Sequence, residues 1–179
     1  MEGGRPHLTR PPATPGKIVP TEDVLGSNPK RLVGTDDATI DEKGRILISV
    51  KKRERLQPNF AIALGDNGCL YAYPGSKWEE IMEKVLSYDP TNQGRQEYTR
   101  LVFGNSEDEL NWDQQGRVVI PRKFRELAKL KEKVKLVGCG DRLEIWAEEE
   151  YALYQSDPDN YGKQRRDAIR DAWMDMKIL

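Results

Sequence analysis

Residues 34–56, GTDDATIDEKGRILISVKKRERL, align without a gap with residues 106–128, SEDELNWDQQGRVVIPRKFRELA. Both stretches contain the same short motif, Asp41-x-x-Gly44-Arg45 in the first and Asp113-x-x-Gly116-Arg117 in the second. After one inserted residue the likeness continues, with GDNGCLYAY (65–73) facing GCGDRLEIW (138–146). The chain therefore contains two copies of one unit of about 45 residues, so its architecture is a tandem repeat.

Each unit has the pattern of a strand, a tight turn, a second strand, a short helix, a hairpin and a helix, which predicts an α+β fold. Gly44 and Gly116 permit the positive φ that a tight turn needs. The apolar runs 46–48 and 118–120 are typical of strands buried on both faces. Pro121 suits the first turn of the helix that follows the second run, and Ser49 is the expected cap of its counterpart.

The remaining helices follow from capping and apolar spacing. Residues 76–79 have the sequence pattern of a capping box and predict that a helix begins there, and residues 95–103 predict a second linker helix. Residues 163–177 have helical apolar spacing, and this last helix covers either its own domain or a neighbouring subunit. The predicted organisation is a flexible Pro-rich tail (1–31), a first repeat (32–88), a linker helix (89–105), a second repeat (106–154) and a C-terminal helical extension (155–179).

Composition excludes several classes of protein. The 179 residues are 33% charged and 37% hydrophobic, and they contain no apolar run near the roughly 20 residues that cross a bilayer. We therefore expect a soluble, cytoplasmic protein. The single histidine, His7, and two distant cysteines, Cys69 and Cys139, give no metal-ligand spacing and no nucleophile with its base. We expect no metal, no cofactor, no disulfide framework and no small-molecule substrate.

The charge is nearly balanced overall but is unevenly distributed. The formal net charge of -1 argues against a nucleic-acid ligand. However, residues 43–55 carry six basic side chains and one acidic one, and residues 117–125 carry four basic side chains and no acidic one. Such runs are usually solvated helix faces. Their duplication at equivalent places favours instead two patches that meet successive stretches of a duplex backbone.

The repeated aspartates also suggest an enzyme, because aspartic proteases place one Asp from each of two related halves side by side. Those enzymes follow the Asp with Thr or Ser and then Gly, whereas here the contexts are Asp-Glu-Lys-Gly and Asp-Gln-Gln-Gly. Each Asp has an Arg four residues later. A structural role is therefore favoured, in which Asp41 and Asp113 order their own turns and pair with Arg45 and Arg117.

The strings DEKGRILIS-VKKR and DQQGRVVIP-RKFR resemble the two D-x-x-x-R motifs of the MraZ proteins, and the half-unit resembles the broader AbrB/SpoVT-type DNA-binding fold. The likeness covers about residues 32 to 154 and includes the KLVGCGDRLEIW block. The resemblance implies two pseudo-symmetric repeats that form a swapped-hairpin, double-psi-type β-barrel with flanking helices. It also implies a bacterial transcriptional regulator that assembles into rings and binds tandem short promoter repeats of the division and cell-wall gene cluster.

By position, the resemblance implies that four residues of the two turns face DNA and that four further basic residues contact phosphates or form intersubunit ion pairs. The first four are Lys43, Arg45, Gln115 and Arg117, and the others are Arg53, Arg122, Lys123 and Arg125. The structural residues of the two turns are expected to be Asp41, Gly44, Asp113 and Gly116. The expected partners are double-stranded DNA and further copies of the chain at the nucleoid, with no membrane. The alternative is a structural or partner-binding ring without specific DNA readout.

Overall fold

The structure is a computed structural model that describes residues 31–177, so the tail predicted for residues 1–31 lies outside the described residues except for Arg31. The strands of this part of the chain are β1 (Leu32–Thr39), β2 (Arg45–Leu47), β3 (Phe60–Leu64), β4 (Leu70–Tyr73), β5 (Ser106–Leu110), β6 (Arg117–Val119), β7 (Lys133–Gly140) and β8 (Leu143–Ala147). The helices are α1 (Val50–Leu56), α2 (Gly75–Leu86), α3 (Gln93–Leu101), α4 (Arg122–Leu127), α5 (Glu148–Ser156) and α6 (Lys163–Lys177).

The strands of the two repeats are interleaved. One antiparallel sheet has the order β1-β7-β8-β4-β3-β5, and a separate two-stranded sheet pairs β2 with β6. The first strand of each repeat thus pairs with the third strand of the other, as β1 with β7 and β5 with β3. This arrangement has a pseudo-twofold relation between the repeats. Within residues 31–177, β1 and β5 are the edges of the larger sheet, and no strand pairing closes it into a barrel.

Both repeats contribute to one hydrophobic core. Several of its fully buried members come in equivalent pairs, such as Ile48 with Ile120 and Leu70 with Leu143. Phe60 is buried in the same core, and Trp112 stacks on it with ring centroids 5.8 Å apart. Because each repeat completes the core of the other, neither buries its apolar face alone.

The strands of the two motifs are buried on one face only, so the prediction that both faces are buried was wrong. Ile46 and Val118 are fully buried, whereas Leu47 is 57% exposed and Val119 is 53% exposed. Side chains alternate between the faces of a strand, and the two-stranded sheet packs on the core with one face. The apolar residue in the middle of each run therefore points outward.

The two predicted side-chain caps were also wrong. The Ser49 hydroxyl makes no cap bond to α1 and instead donates to Oδ2 of Asp36 at 2.9 Å. Helix α2 begins at Gly75, with Pro74 at the N-cap position and no side-chain cap bond. Ser76 therefore lies inside the first turn, where its hydroxyl is not placed to act as a capping box.

Helix α6 spans the residues predicted for it and packs against α3 of the same chain. The contact is so close that a Cβ built on Gly94 would lie 2.4 Å from the backbone nitrogen of Met176 and 2.5 Å from the carbonyl oxygen of Ala172. Trp173 of α6 lies against Tyr98 of α3, with ring centroids 5.4 Å apart. Of the helices in residues 31–177, none is long and apolar enough to span a membrane.

Candidate nucleic-acid interface

The first motif forms a turn that Asp41 holds together. Oδ1 of Asp41 accepts hydrogen bonds from the backbone N–H groups of Lys43, at 3.0 Å, and Arg45, at 2.9 Å. The Gly44 amide donates to the Asp41 carbonyl at 2.8 Å, and Gly44 has a φ of +78°, which L-residues rarely adopt. The aspartate carboxylate accepts hydrogen bonds from backbone N–H groups of the turn, and the glycine supplies its positive φ. The motif therefore needs both residues at this spacing.

The other carboxylate oxygen of Asp41 fixes the arginine. Oδ2 accepts from Nε of Arg45 at 2.7 Å and lies 2.7 Å from its Nη2. The second motif repeats this geometry, with Oδ2 of Asp113 2.8 Å from Nε and 2.7 Å from Nη2 of Arg117. Each aspartate therefore contacts the edge of the guanidinium formed by Nε and Nη2. The Nη1 amine and the outward N–H of Nη2 are left for another partner.

The electrostatics of the two turns keep both aspartates ionised. The side-chain hydrogen bond from Arg117 is the main cause that lowers the pKa of Asp113 to about 2. The backbone hydrogen bond from Arg45 is the main cause that lowers the pKa of Asp41. An aspartic protease dyad shares one proton, which requires that one carboxyl has a raised pKa. The two carboxylates thus have the electrostatics of structural groups, which argues against the hydrolase hypothesis.

The two arginines lie on one exposed face of the two-stranded sheet, which we call the ribbon face and define as Arg45, Leu47, Arg117 and Val119. In the β2–β6 register Arg45 faces Val119 and Leu47 faces Arg117. Residues that face each other across a pair of strands share a side of the sheet, and Ile46 and Val118 occupy the buried side. Half-buried arginines and exposed apolar side chains therefore alternate on this face.

Sequence reasoning missed Leu47 and Val119 as surface residues. Both belong to three-residue strands, which are too short for alternation to be recognised. The one available signal was that Arg45 and Leu47, like Arg117 and Val119, are two residues apart and so share a face.

The tips of the two turns extend from opposite ends of the ribbon, because β2 and β6 are antiparallel and each turn precedes its strand. Lys43 is exposed at the first tip and Gln115 at the second. The two ends of the interface are therefore equivalent in backbone geometry and different in charge.

Arg53 and Arg125 are half-buried, and each lies against the turn of the other repeat. Arg53 of α1 lies over Gly116, and Arg125 of α4 lies over Gly44. Nε of Arg53 also donates to the Ile48 carbonyl at 2.9 Å. Each of them therefore contacts the motif turn of the other repeat within the same chain.

The other basic residues of the two segments differ in accessibility. Arg122 is exposed and its Nε lies 2.6 Å from the Glu126 carboxylate, whereas the exposed Lys123 donates to the Gly104 carbonyl at 3.0 Å. Lys52 is buried and is paired with Asp36, so it takes no part in the surface.

The described residues offer little to hold a metal or cofactor. Among residues 31–177 no group of three or more His, Cys, Asp and Glu side chains is arranged to hold a metal ion. Cys69 is buried, and burial raises the pKa of its thiol. Cys139 is exposed, but partial burial of its thiol is the main cause that raises its pKa to about 11. Neither cysteine has the lowered pKa of a reactive thiol.

Comparison with known proteins gives a consistent result. The family described as "MraZ protein, putative antitoxin-like" matches twice, over residues 32–100 and 103–169. The chain is 38% identical over 122 residues to a protein named transcriptional regulator MraZ from Carboxydothermus hydrogenoformans, and the match covers 68% of this chain and 85% of that protein. The protein of the same name from Desulforamulus reducens is 32% identical over 139 residues, which cover 78% of this chain and 97% of that protein.

The two family matches include both motifs, both turns and the strands that pair across the repeats. Two consecutive matches to one family agree with the duplication of the Asp-x-x-Gly-Arg motif and with the interleaved sheet. The chain belongs to the MraZ family.

Proposed function

We propose that this chain is a transcriptional regulator that binds specific DNA sequences through the ribbon face and the two turns. The observation that carries the proposal is that Arg45 and Arg117, each held by its own aspartate, lie on one exposed face of a two-stranded ribbon. The name of the relatives, transcriptional regulator MraZ, supports the same function. A two-stranded ribbon has dimensions that fit the major groove of B-DNA.

The held arginines are suited to guanine. Asp41 and Asp113 occupy the Nε edge of each guanidinium. The opposite end presents one N–H from Nη1 and one from Nη2, which match the O6 and N7 acceptors of guanine. Because the aspartate already restricts the arginine, less side-chain entropy is lost on binding. Leu47 and Val119 would contact thymine methyl groups beside these positions. Lys43 and Gln115 would contact base edges from the two tips.

The remaining predicted site residues take supporting roles in this proposal. Arg122 and Lys123 are exposed and would contact phosphates, which fix the register of the protein on the duplex but carry no sequence information. Arg53 and Arg125 would act through the turns that they touch.

Useful affinity would come from assembly. The chain has a net charge of -1, so one copy has little overall attraction for DNA. A homo-oligomer, such as the ring implied by the resemblance, would present several ribbon faces to tandem repeats and gain affinity from multivalency. We propose that these repeats lie in a promoter of the division and cell-wall genes and that the protein acts at the nucleoid.

The finer architecture is part of the same proposal. Pairing of β1 with β7 and of β5 with β3 supports interleaved hairpins, as in a swapped-hairpin, double-psi-type barrel. The repeats would span 32–88 and 106–154, with a linker at 89–105 and an extension at 155–179. A protein of this kind has no catalytic step, and we propose no enzymatic activity.

The proposal is tested by titrating the full chain against DNA selected from random sequences, with particle mass measured in parallel. Arg45→Ala and Arg117→Ala should each cost about 1 to 3 kcal/mol of binding free energy and relax the preference at particular bases. Lys77→Ala is the matched control, because Lys77 lies on α2 and pairs with Glu80. Unchanged binding by a variant that lacks both arginines and still assembles would favour the alternative, a ring without DNA readout.

A further inference from the structure

One arginine of each repeat contacts the motif turn of the other repeat. A Cβ built on Gly116 would lie 2.4 Å from Cζ of Arg53, and one built on Gly44 would lie 2.9 Å from Cζ of Arg125. Real Cβ atoms do not approach other atoms so closely, so the guanidinium planes rest directly on the glycines. The glycines thus serve two purposes, since their positive φ forms the turn and their missing side chain admits the arginine.

Backbone hydrogen bonds join the same partners. The Ile48 amide, just before α1, donates to the Gly116 carbonyl at 3.1 Å, and the Ile120 amide, just before α4, donates to the Gly44 carbonyl at 2.8 Å. Arg53 completes one of these links, because its Nε donates to the Ile48 carbonyl at 2.9 Å. The start of α1 and the turn around Gly116 are therefore joined by hydrogen bonds, although Ile48 and Gly116 are 68 positions apart in sequence.

The two links are unequal. Nε of Arg125 is buried and has no hydrogen-bond partner among residues 31–177, unlike Nε of Arg53. An unsatisfied buried donor makes a contact less favourable than its satisfied counterpart. The two arginine contacts therefore differ in hydrogen bonding, because within the described part of the chain Arg53 has a partner for its Nε and Arg125 does not.

We infer that Arg53 is a positioning residue for Arg117 and that Arg125 is a positioning residue for Arg45. Each DNA-reading arginine is oriented by the helix of the opposite repeat, and the reading of one half-site depends on residues of the other half. This inference rests on the proposed function. Arg53 and Arg125 could instead contact phosphates. In that case they would contribute no base preference.

The experiment compares base-preference profiles, in which every position of a selected DNA site is changed in turn and the affinity is measured. Arg45→Ala and Arg117→Ala identify the bases read by each motif. Arg53→Ala should then relax preference at the bases assigned to Arg117, by part of the roughly 5- to 150-fold discrimination that one bidentate arginine–guanine pair supplies, and leave the bases assigned to Arg45 unchanged. Arg125→Ala should do the reverse.

Two variants separate positioning from charge. Arg53→Lys keeps the charge but lacks the planar group that rests on Gly116, so it should produce the same position-specific loss as Arg53→Ala. Lys51→Ala removes an exposed charge from the same helix. It should leave the base preference at every position unchanged, even if the overall affinity falls. A uniform loss of affinity with a salt slope reduced by about 1, seen for Arg53→Ala and rescued by Arg53→Lys, would overturn the inference in favour of a phosphate contact.

A measurement without DNA distinguishes failure of this inference from failure of the proposed function. In amide NMR spectra of the free protein, Arg53→Ala should shift the resonances of Gln115 and Gly116 more than those of Lys43 and Gly44. Equal or opposite shifts would overturn the positioning role whether or not the protein binds DNA. If the wild-type protein shows no base preference while the shifts appear as expected, the proposed function is wrong and the contact across the repeats stands.

Discussion

Lys52 and Asp36 form an ion pair that ties α1 to β1 in the first repeat and has no equivalent in the second. Nζ of Lys52 lies 3.0 Å from Oδ2 of Asp36, and the Lys52 side chain is only 4% exposed. The equivalent position in the second repeat is Phe124, which is fully apolar and buried. Burial by itself would raise the pKa of Asp36, but hydrogen bonds from Lys52 and Ser49 outweigh it, and the pKa is lowered. The two halves of a symmetric fold are thus secured by different chemistry.

Removing Asp36 should leave the buried Lys52 ammonium group without its carboxylate partner, although it still donates to the Val33 carbonyl. We expect Asp36→Ala to lower the free energy of unfolding by about 2 kcal/mol, measured by denaturant titration, and Lys52→Met in the same chain to restore most of the loss. Asp37→Ala is the matched control, because Asp37 pairs with Lys135 at the surface and should cost less than about 1 kcal/mol. Equal losses from Asp36→Ala and Asp37→Ala would contradict this account.

Gly94 should be essential for the contact between α3 and α6. Gly94→Ala places a methyl group within 2.5 Å of backbone atoms of α6, which cannot move without displacing the helix. We expect a loss of about 1 to 3 kcal/mol in the free energy of unfolding. At Gly104 the nearest atom to a new Cβ would be 3.8 Å away, so Gly104→Ala should change stability by less than about 0.5 kcal/mol. A stable Gly94→Ala variant with native α6 would contradict the observed packing.

The second turn should lose its order in acid. The folded pKa of Asp113 is about 2 against an ordinary value of 3.8, so its contribution to stability is present above about pH 4 and is lost as the pH falls toward 2. A carboxyl ¹³C titration should give this lowered pKa, and Arg117→Ala should return it toward 3.8. Arg45→Ala should leave the Asp113 titration unchanged, because Arg45 belongs to the other turn.

Cys139 should react slowly despite its exposure. With a pKa of about 11, the thiol at pH 8 has roughly two orders of magnitude less thiolate than a cysteine with the ordinary pKa of about 8.5. We expect slow alkylation by iodoacetamide in the folded protein and an ordinary rate after unfolding in guanidinium chloride. A folded-state rate that is half-maximal near pH 8.5 would show that burial does not suppress the thiolate.

Local features of the fold could be predicted from the sequence because they depend on residues close together in the chain. The four-residue spacing of Asp41 and Arg45 predicted an ion pair that is present, and the apolar spacing of residues 163–177 predicted helix α6 with its observed bounds. The Ser49 cap was mispredicted because its hydroxyl donates to Asp36, on a strand 13 residues away in sequence.

The sequence by itself determined the duplication, the two turns with their Asp–Arg pairs, and the family, because each depends on identity and spacing along the chain. Only the tertiary structure decided which strands pair across the repeats, and therefore that Leu47 and Val119 are exposed beside the arginines and that Arg53 rests on Gly116. These contacts join residues far apart in sequence. Three-residue strands carry too little pattern to specify their partner, so pairing is set by how the two halves bury one common core.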